Sequence, residues 1–166
     1  MSFPESEKEF VKLIQQNERL IYKVCSVYAS ESLLLADLFQ DVVYNLWKAS
    51  PKFRNECSIS TWIYRIALNT CISNMRKEVR RPVRVPINKL SEQLPEPESF
   101  EENIKEIYHI IRQLRTLERA IILLYLDEKS YQEISDITGL TVNNVAIRIN
   151  RIKEKLRTIY KNQNKI

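Results

Sequence analysis

The chain has 166 residues, with 26 lysines and arginines against 21 acids, one histidine, three cysteines and a single glycine. That length makes one average domain or two small ones, and the net charge of +5 suits an anionic partner, either nucleic acid or an anionic membrane surface. One glycine excludes glycine-rich phosphate loops, three scattered cysteines and one histidine make no usual zinc site, and no apolar run nears a membrane span of roughly 20 residues.

The first residues, MSFPESEKEF, lack the basic-then-apolar pattern of a signal peptide, so the cytoplasm is the expected compartment and no membrane insertion is expected. Residues 6–29 repeat apolar groups at Phe10, Leu13, Ile14, Ile21, Val24 and Val27, which predicts one amphipathic helix. A second helix is predicted over residues 32–49, ahead of Pro51. Leu38, Phe39, Val42 and Leu46 face inward there, while Asp37, Gln40, Asp41, Tyr44 and Asn45 line the other side. An acidic and amide face repels DNA, so on this chain it suits a basic or polar protein partner; ordinary helix solvation is the plainer use of it.

A third helix is predicted over residues 61–77, capped by Ser60. Ile63, Tyr64, Ala67, Leu68, Cys71, Ile72 and Met75 form its apolar face. Trp62 falls on the opposite side, in line with Arg65, Asn69, Ser73 and Arg76. Two uses fit that ring. It covers the edge of a small core, or it offers unpaired bases a stacking surface beside cations. The neighbourhood favours stacking, because Arg76, Lys77, Arg80 and Arg81 end the helix and the loop FRNECSIS, with Phe53, Arg54 and Asn55, precedes it.

Residues 82–102 hold four of the six prolines, Pro82, Pro86, Pro95 and Pro97, with arginines first and glutamates after. That composition predicts a flexible linker between a helical domain at 1–81 and a second at 103–166. In the second, Ser130 and Glu133 have capping-box spacing, Gly139 suits a left-handed helix end, and Thr141 suits the next cap. Two helices joined by so short a turn predict a helix-turn-helix. Val142, Val145, Ile149, Ile152 and Leu156 form the face expected to bury. Asn143, Asn144, Ile147, Asn150 and Arg151 lie opposite, flanked by Arg148 and Lys155. From Thr141 onward seven basic residues meet one acid, Glu154. In the major groove Asn pairs with adenine, Arg with guanine, and an exposed Ile147 meets a thymine methyl.

The pieces DLFQDVVYNLW, FRNECSISTWIYRIALNTCISNMRK and LERAIILLYLDEKSYQEISDITGLTVNNVAIRINRIKEKLR together resemble bacterial sigma factors of the extracytoplasmic-function type. The resemblance implies an all-α protein of two small helical domains on a flexible linker, without catalytic residues, metal, cofactor or small-molecule substrate. It implies that Asp37, Gln40, Asp41 and Asn45 dock on the β′ clamp coiled coil of core RNA polymerase, whose β subunit is also a partner. Phe53, Arg54 and Asn55 fall in the loop that captures a flipped base of the minus-ten element of promoter DNA. Trp62, Arg65, Asn69 and Arg76 match the helix beside the melting point. Tyr131, Gln132, Asn143, Asn144, Ile147, Arg148 and Arg151 meet the minus-thirty-five element, and an anti-sigma factor is an implied partner. The chain departs from the family pattern at Ala146 and Ile147, at Arg115, which replaces a common proline, and at Glu128 and Lys129, near a common glycine.

Two other readings compete. A helix-turn-helix regulator needs no polymerase and binds duplex through 103–166 alone. An adaptor uses the helix over 32–49 and binds no DNA by sequence. An enzyme is the weakest reading, because no carboxylates, Ser-His-Asp set or Cys-His pair converge in the sequence. Cys25 and Cys71 read as core residues, and His109 as a helix-surface residue.

Overall fold

The computed structural model describes residues 6–80 and 102–165, and every regular element among them is helical. Contacts divide the chain into two units, Met1–Glu96 and Pro97–Ile166. The predicted linker, Glu102 apart, lies outside the described residues, as does Arg81.

In the first unit, α1 spans Glu7–Gln16, α2 Glu18–Tyr28, α3 Leu35–Ala49, a 3-10 turn Ser50–Lys52, and α4 Ile59–Arg80. The single helix expected over 6–29 is broken at Asn17. Its side-chain Nδ2 donates to the Leu13 carbonyl at 2.9 Å, ending α1, while its own carbonyl accepts from the Ile21 N–H and starts α2. Asparagine competes for backbone partners in this way, and the hydrophobic period carries across the break undisturbed. The helix predicted from residue 32 begins instead at Leu35, because Ser30 and Leu33 exchange backbone hydrogen bonds and hold a turn there. Ser58, not Ser60, caps α4: its Oγ accepts from the Thr61 N–H at 3.1 Å.

The core of this unit is α4 laid on α2 and α3. Ile21, Val24, Leu38, Val42, Leu46, Ile63, Tyr64, Ala67 and Leu68 are all buried, as the apolar period predicts. Cys25 and Cys71 are buried too, free thiols with sulfurs 4.0 Å apart. The hydrogen bond to Cys25, followed by burial, pushes the Cys71 thiol far above its ordinary value, so it stays protonated.

In the second unit, α5 spans Glu102–Ile111, α6 Thr116–Leu126, α7 Tyr131–Thr138 and α8 Val142–Gln163. The last carbonyls of α5 accept from the backbone N–H groups of residues 112–114, and Arg119 of α6 donates to the Leu114 and Arg112 carbonyls at 2.9 and 2.6 Å, holding the turn between the two helices. Where the family pattern has proline, the Arg115 N–H donates to Glu118 Oε2 at 3.1 Å, holding the start of α6. Ser130 and Glu133 form the capping box, Gly139 ends α7 at φ +77°, and Thr141 Oγ1 accepts from the Asn144 N–H. Val145, Ile149 and Ile152 bury as expected. Val142 does not: it is 40% exposed in the first turn of α8, ahead of the stripe that packs on α6 and α7.

Glu128 occupies φ +59° without being glycine. Left-handed backbone costs a residue with a Cβ about 1–2 kcal/mol. Glu128→Gly is therefore expected to stabilise the second unit by up to about 1 kcal/mol, and Gly139→Ala to destabilise it by about 1 kcal/mol, read from urea unfolding midpoints. A Cβ at 139 meets nothing within 4 Å, so the second change carries backbone strain alone.

Glu118 gives a pH prediction. Burial raises its carboxyl, but the Lys155 ammonium and the Arg115 N–H outweigh it and hold the group below the ordinary glutamate value of 4.5. A carboxyl lowered by folding adds stability above its unfolded value, and that stability disappears as pH falls through the folded one. Acid unfolding of Glu118→Gln should lose this part of the pH dependence below about 4.5 while matching the parent slope above it.

Candidate nucleic-acid interface

On α3, Asp37, Gln40 and Asp41 are exposed side by side at helical spacing. Tyr44 stands among them, 61% exposed, with Trp47 at 47% on the flank and set edge-on to Phe10 at 4.9 Å. Trp47 was not visible as part of this face from apolar counting, although ten residues on from Asp37 returns the helix beside Gln40. Asn45 is turned away from the others. Its Nδ2 donates to Thr70 Oγ1 at 3.0 Å, and Asp41 accepts from Asn74 Nδ2 at 2.8 Å. These two hydrogen bonds tie α3 to α4 along a groove of about 580 Å³ that also takes in Tyr44, Asn69 and Lys77.

The expectation that Trp62 projects freely from α4 is corrected: the residue is only 9% exposed. Periodicity describes a helix alone, whereas the segment before α4 folds back over its first turn. Phe53 meets the Trp62 ring with centroids 5.1 Å apart, tilted by 53°. Asn55 makes the bend at φ +56°, a conformation that asparagine tolerates better than most residues. Arg65 Nη1 approaches Cys57 Sγ at 3.7 Å on the same side. The result is an open cleft of about 570 Å³ lined by Pro51, Lys52, Phe53, Arg54, Glu56, Cys57, Trp62 and Arg65, three cations against one carboxylate. Aromatic walls with guanidinium groups at the rim make a receptor for a planar base carrying a phosphate. Asn69 and Arg76 are exposed farther along α4.

In the second unit, Asn143, Ile147, Asn150 and Arg151 lie exposed along α8, with Tyr131 and Gln132 exposed at the start of α7. Gln132 Nε2 donates to Asp136 Oδ1 at 3.0 Å, and Arg148 Nε donates to Asn144 Oδ1 at 2.9 Å. Not every cation of α8 faces outward. Lys155 pairs with Glu118, and Lys153 donates to the Tyr125 hydroxyl at 2.8 Å with its ammonium 4.4 Å from the ring centre. Both lysines fasten α8 to α6, a use that a count of charges does not reveal. No group of His, Cys, Asp and Glu side chains able to hold a metal occurs among the described residues.

Comparison with known proteins agrees with this arrangement. Residues 13–81 match the family described as sigma-70 region 2, and residues 104–156 match sigma-70 region 4. Among curated relatives, the ECF RNA polymerase sigma-E factor of Escherichia coli strain K12 is 27% identical over 164 residues, covering 90% of this chain and 85% of the relative. The sigma-E factor of Haemophilus influenzae is 27% identical over 166 residues, covering 90% and 86%. The fold is that of the sigma factor RpoE solved with the anti-sigma factor NepR from Bartonella quintana, at TM-score 0.72 and 19% identity over 93% of this chain and 98% of that one. CnrH, solved with the cytosolic domain of CnrY, gives TM-score 0.68 at 18% identity, covering 95% and 90%. The chain belongs to the sigma-70 family, in its extracytoplasmic-function group, and is a sigma factor of transcription initiation. No helix among the described residues is long and apolar enough to cross a membrane.

The burial of Trp62 gives a stability prediction. Trp62→Ala should destabilise the first unit by about 3 kcal/mol, since it empties a packed site under Phe53. Trp62→Phe should keep most of that stability, as measured by thermal unfolding.

Proposed function

We propose that the first unit docks on the β′ clamp coiled coil of core RNA polymerase through Asp37, Gln40 and Asp41. Tyr44 and Trp47 act there as aromatic anchors. Asn45 supports this face by its hydrogen bond to Thr70 of α4 rather than by touching the partner. The cleft between the 53–57 loop and α4 captures a flipped base of the minus-ten element, with Phe53 and Trp62 as its apolar wall. Arg54 and Arg65 attract the phosphates, and Asn55 holds the loop in shape. Asn69 and Arg76 follow the DNA at the upstream edge of the bubble. The second unit reads the minus-thirty-five duplex through α8, with Tyr131 and Gln132 of α7 at its border. The β subunit and an anti-sigma factor are the remaining partners. The anti-sigma assignment is supported by the fold relative RpoE, which was solved with the anti-sigma factor NepR. The protein acts in the cytoplasm and has no catalytic activity of its own.

One observation carries this reading: a basic-rimmed aromatic cleft stands on the same helical body as an acidic, aromatic-studded face. A regulator that reads duplex DNA needs neither. The test is run-off transcription with bacterial core polymerase, this chain as the only sigma factor, and a genomic-fragment library as template. Discrete start sites that depend on the chain are expected; their absence, with duplex binding retained, would establish the regulator instead.

Variants separate the surfaces. Arg54→Ala and Trp62→Phe should each lower promoter opening by about ten-fold, followed by permanganate reactivity of unpaired thymines, with core polymerase affinity unchanged. Tyr44→Ala should do the reverse, weakening core binding by about ten-fold or more.

A further inference from the structure

Asn144 and Arg148 sit one helical turn apart on α8, both half-buried, and the Arg148 Nε donates to the Asn144 Oδ1 at 2.9 Å. The contact is built in sequence from the turn. Gly139 ends α7 in the left-handed conformation, and Thr141 Oγ1 then accepts from the Asn144 backbone N–H at 3.1 Å. That fixes the third residue of α8, and the amide of its side chain fixes Arg148.

Two consequences follow for base reading. An asparagine reads adenine through two atoms at once, its oxygen accepting from N6 and its nitrogen donating to N7. Here the oxygen already accepts from Arg148, one turn along the helix, which leaves it less free to meet adenine N6. Arginine reads guanine through two Nη donors aimed at O6 and N7. Its Nε is a donor that this task does not use, and Nε is the atom held by Asn144. Asn143 makes no comparable side-chain contact among the described residues and remains able to read for itself.

We infer that Asn144 is a positioning residue, not an adenine reader, and that it aims Arg148 at a guanine of the minus-thirty-five element. The pair then specifies one base, where the residue types alone suggest two. This rests on the proposal that α8 reads that duplex.

The experiment uses the full chain with bacterial core polymerase on promoter templates randomised across the minus-thirty-five element, with transcripts sequenced. For the parent chain, a guanine enriched at one position is expected. Arg148→Ala should flatten that position by roughly ten-fold. Asn144→Leu, similar in size but without the acceptor, should flatten the same position, and the double variant should match Arg148→Ala alone. Asn144→Asp keeps an acceptor for Nε, so it should keep the guanine while the added charge lowers all templates together. Three results would overturn the inference. Asn144→Leu could erase an adenine at a different position. Arg148→Ala could weaken every template equally, which marks a phosphate contact. Finally, if the parent chain enriches no base there, the reading of the element by α8 fails, and the pairing falls with it.

Discussion

The first unit depends on the burial of one side of α4 against both α2 and α3. Ile63, Tyr64, Ala67 and Cys71 supply the apolar contact, and burying groups of this size contributes about 1.5–3 kcal/mol for each of the larger ones. Because α3 and α4 share this core, the exposed face of α3 and the cleft at the start of α4 belong to one packed body. The hydrogen bonds from Asn45 to Thr70 and from Asn74 to Asp41 add direction to a contact that apolar packing leaves free to slide. The exposed face of α3 and the cleft at the start of α4 therefore keep a fixed separation.

The second unit solves a smaller problem with less material. Three buried residues of α8 anchor it, and Lys153 and Lys155 reach back to Tyr125 and Glu118 at its middle. The exposed stripe from Asn143 to Arg151 interleaves with the buried residues and lies N-terminal to the two lysines. The start of α8 is set by the left-handed Gly139 turn and by the Thr141 side-chain cap on the Asn144 N–H, neither of which draws on the exposed side chains of Asn143, Ile147, Asn150 and Arg151.

Most of the fold was legible because burial follows helical period. The apolar faces of α2, α3 and α4, the capping box at Ser130 and the left-handed Gly139 all stand where residue spacing puts them. What spacing could not show is how a helix ends without glycine or proline, so the break at Asn17 passed unseen. Nor does it report what folds over a helix from elsewhere. Trp62 lies opposite the apolar face of α4 and is nevertheless covered, because Phe53 and the bend at Asn55 bring the loop onto it. The residues of the candidate site were thus found by type and neighbourhood, whereas their partners, such as Asn74 for Asp41 and Asn144 for Arg148, required coordinates.

The division of α8 into a buried and an exposed stripe also bears on how such a protein changes over generations. Asn143, Ile147, Asn150 and Arg151 are all exposed, so single substitutions there alter the surface of α8 with little effect on the helix that carries them. Each of these four positions can therefore change by itself, with no compensating change elsewhere in the fold. Asn144 and Arg148 are different: bound to each other, they are expected to change together or to persist together.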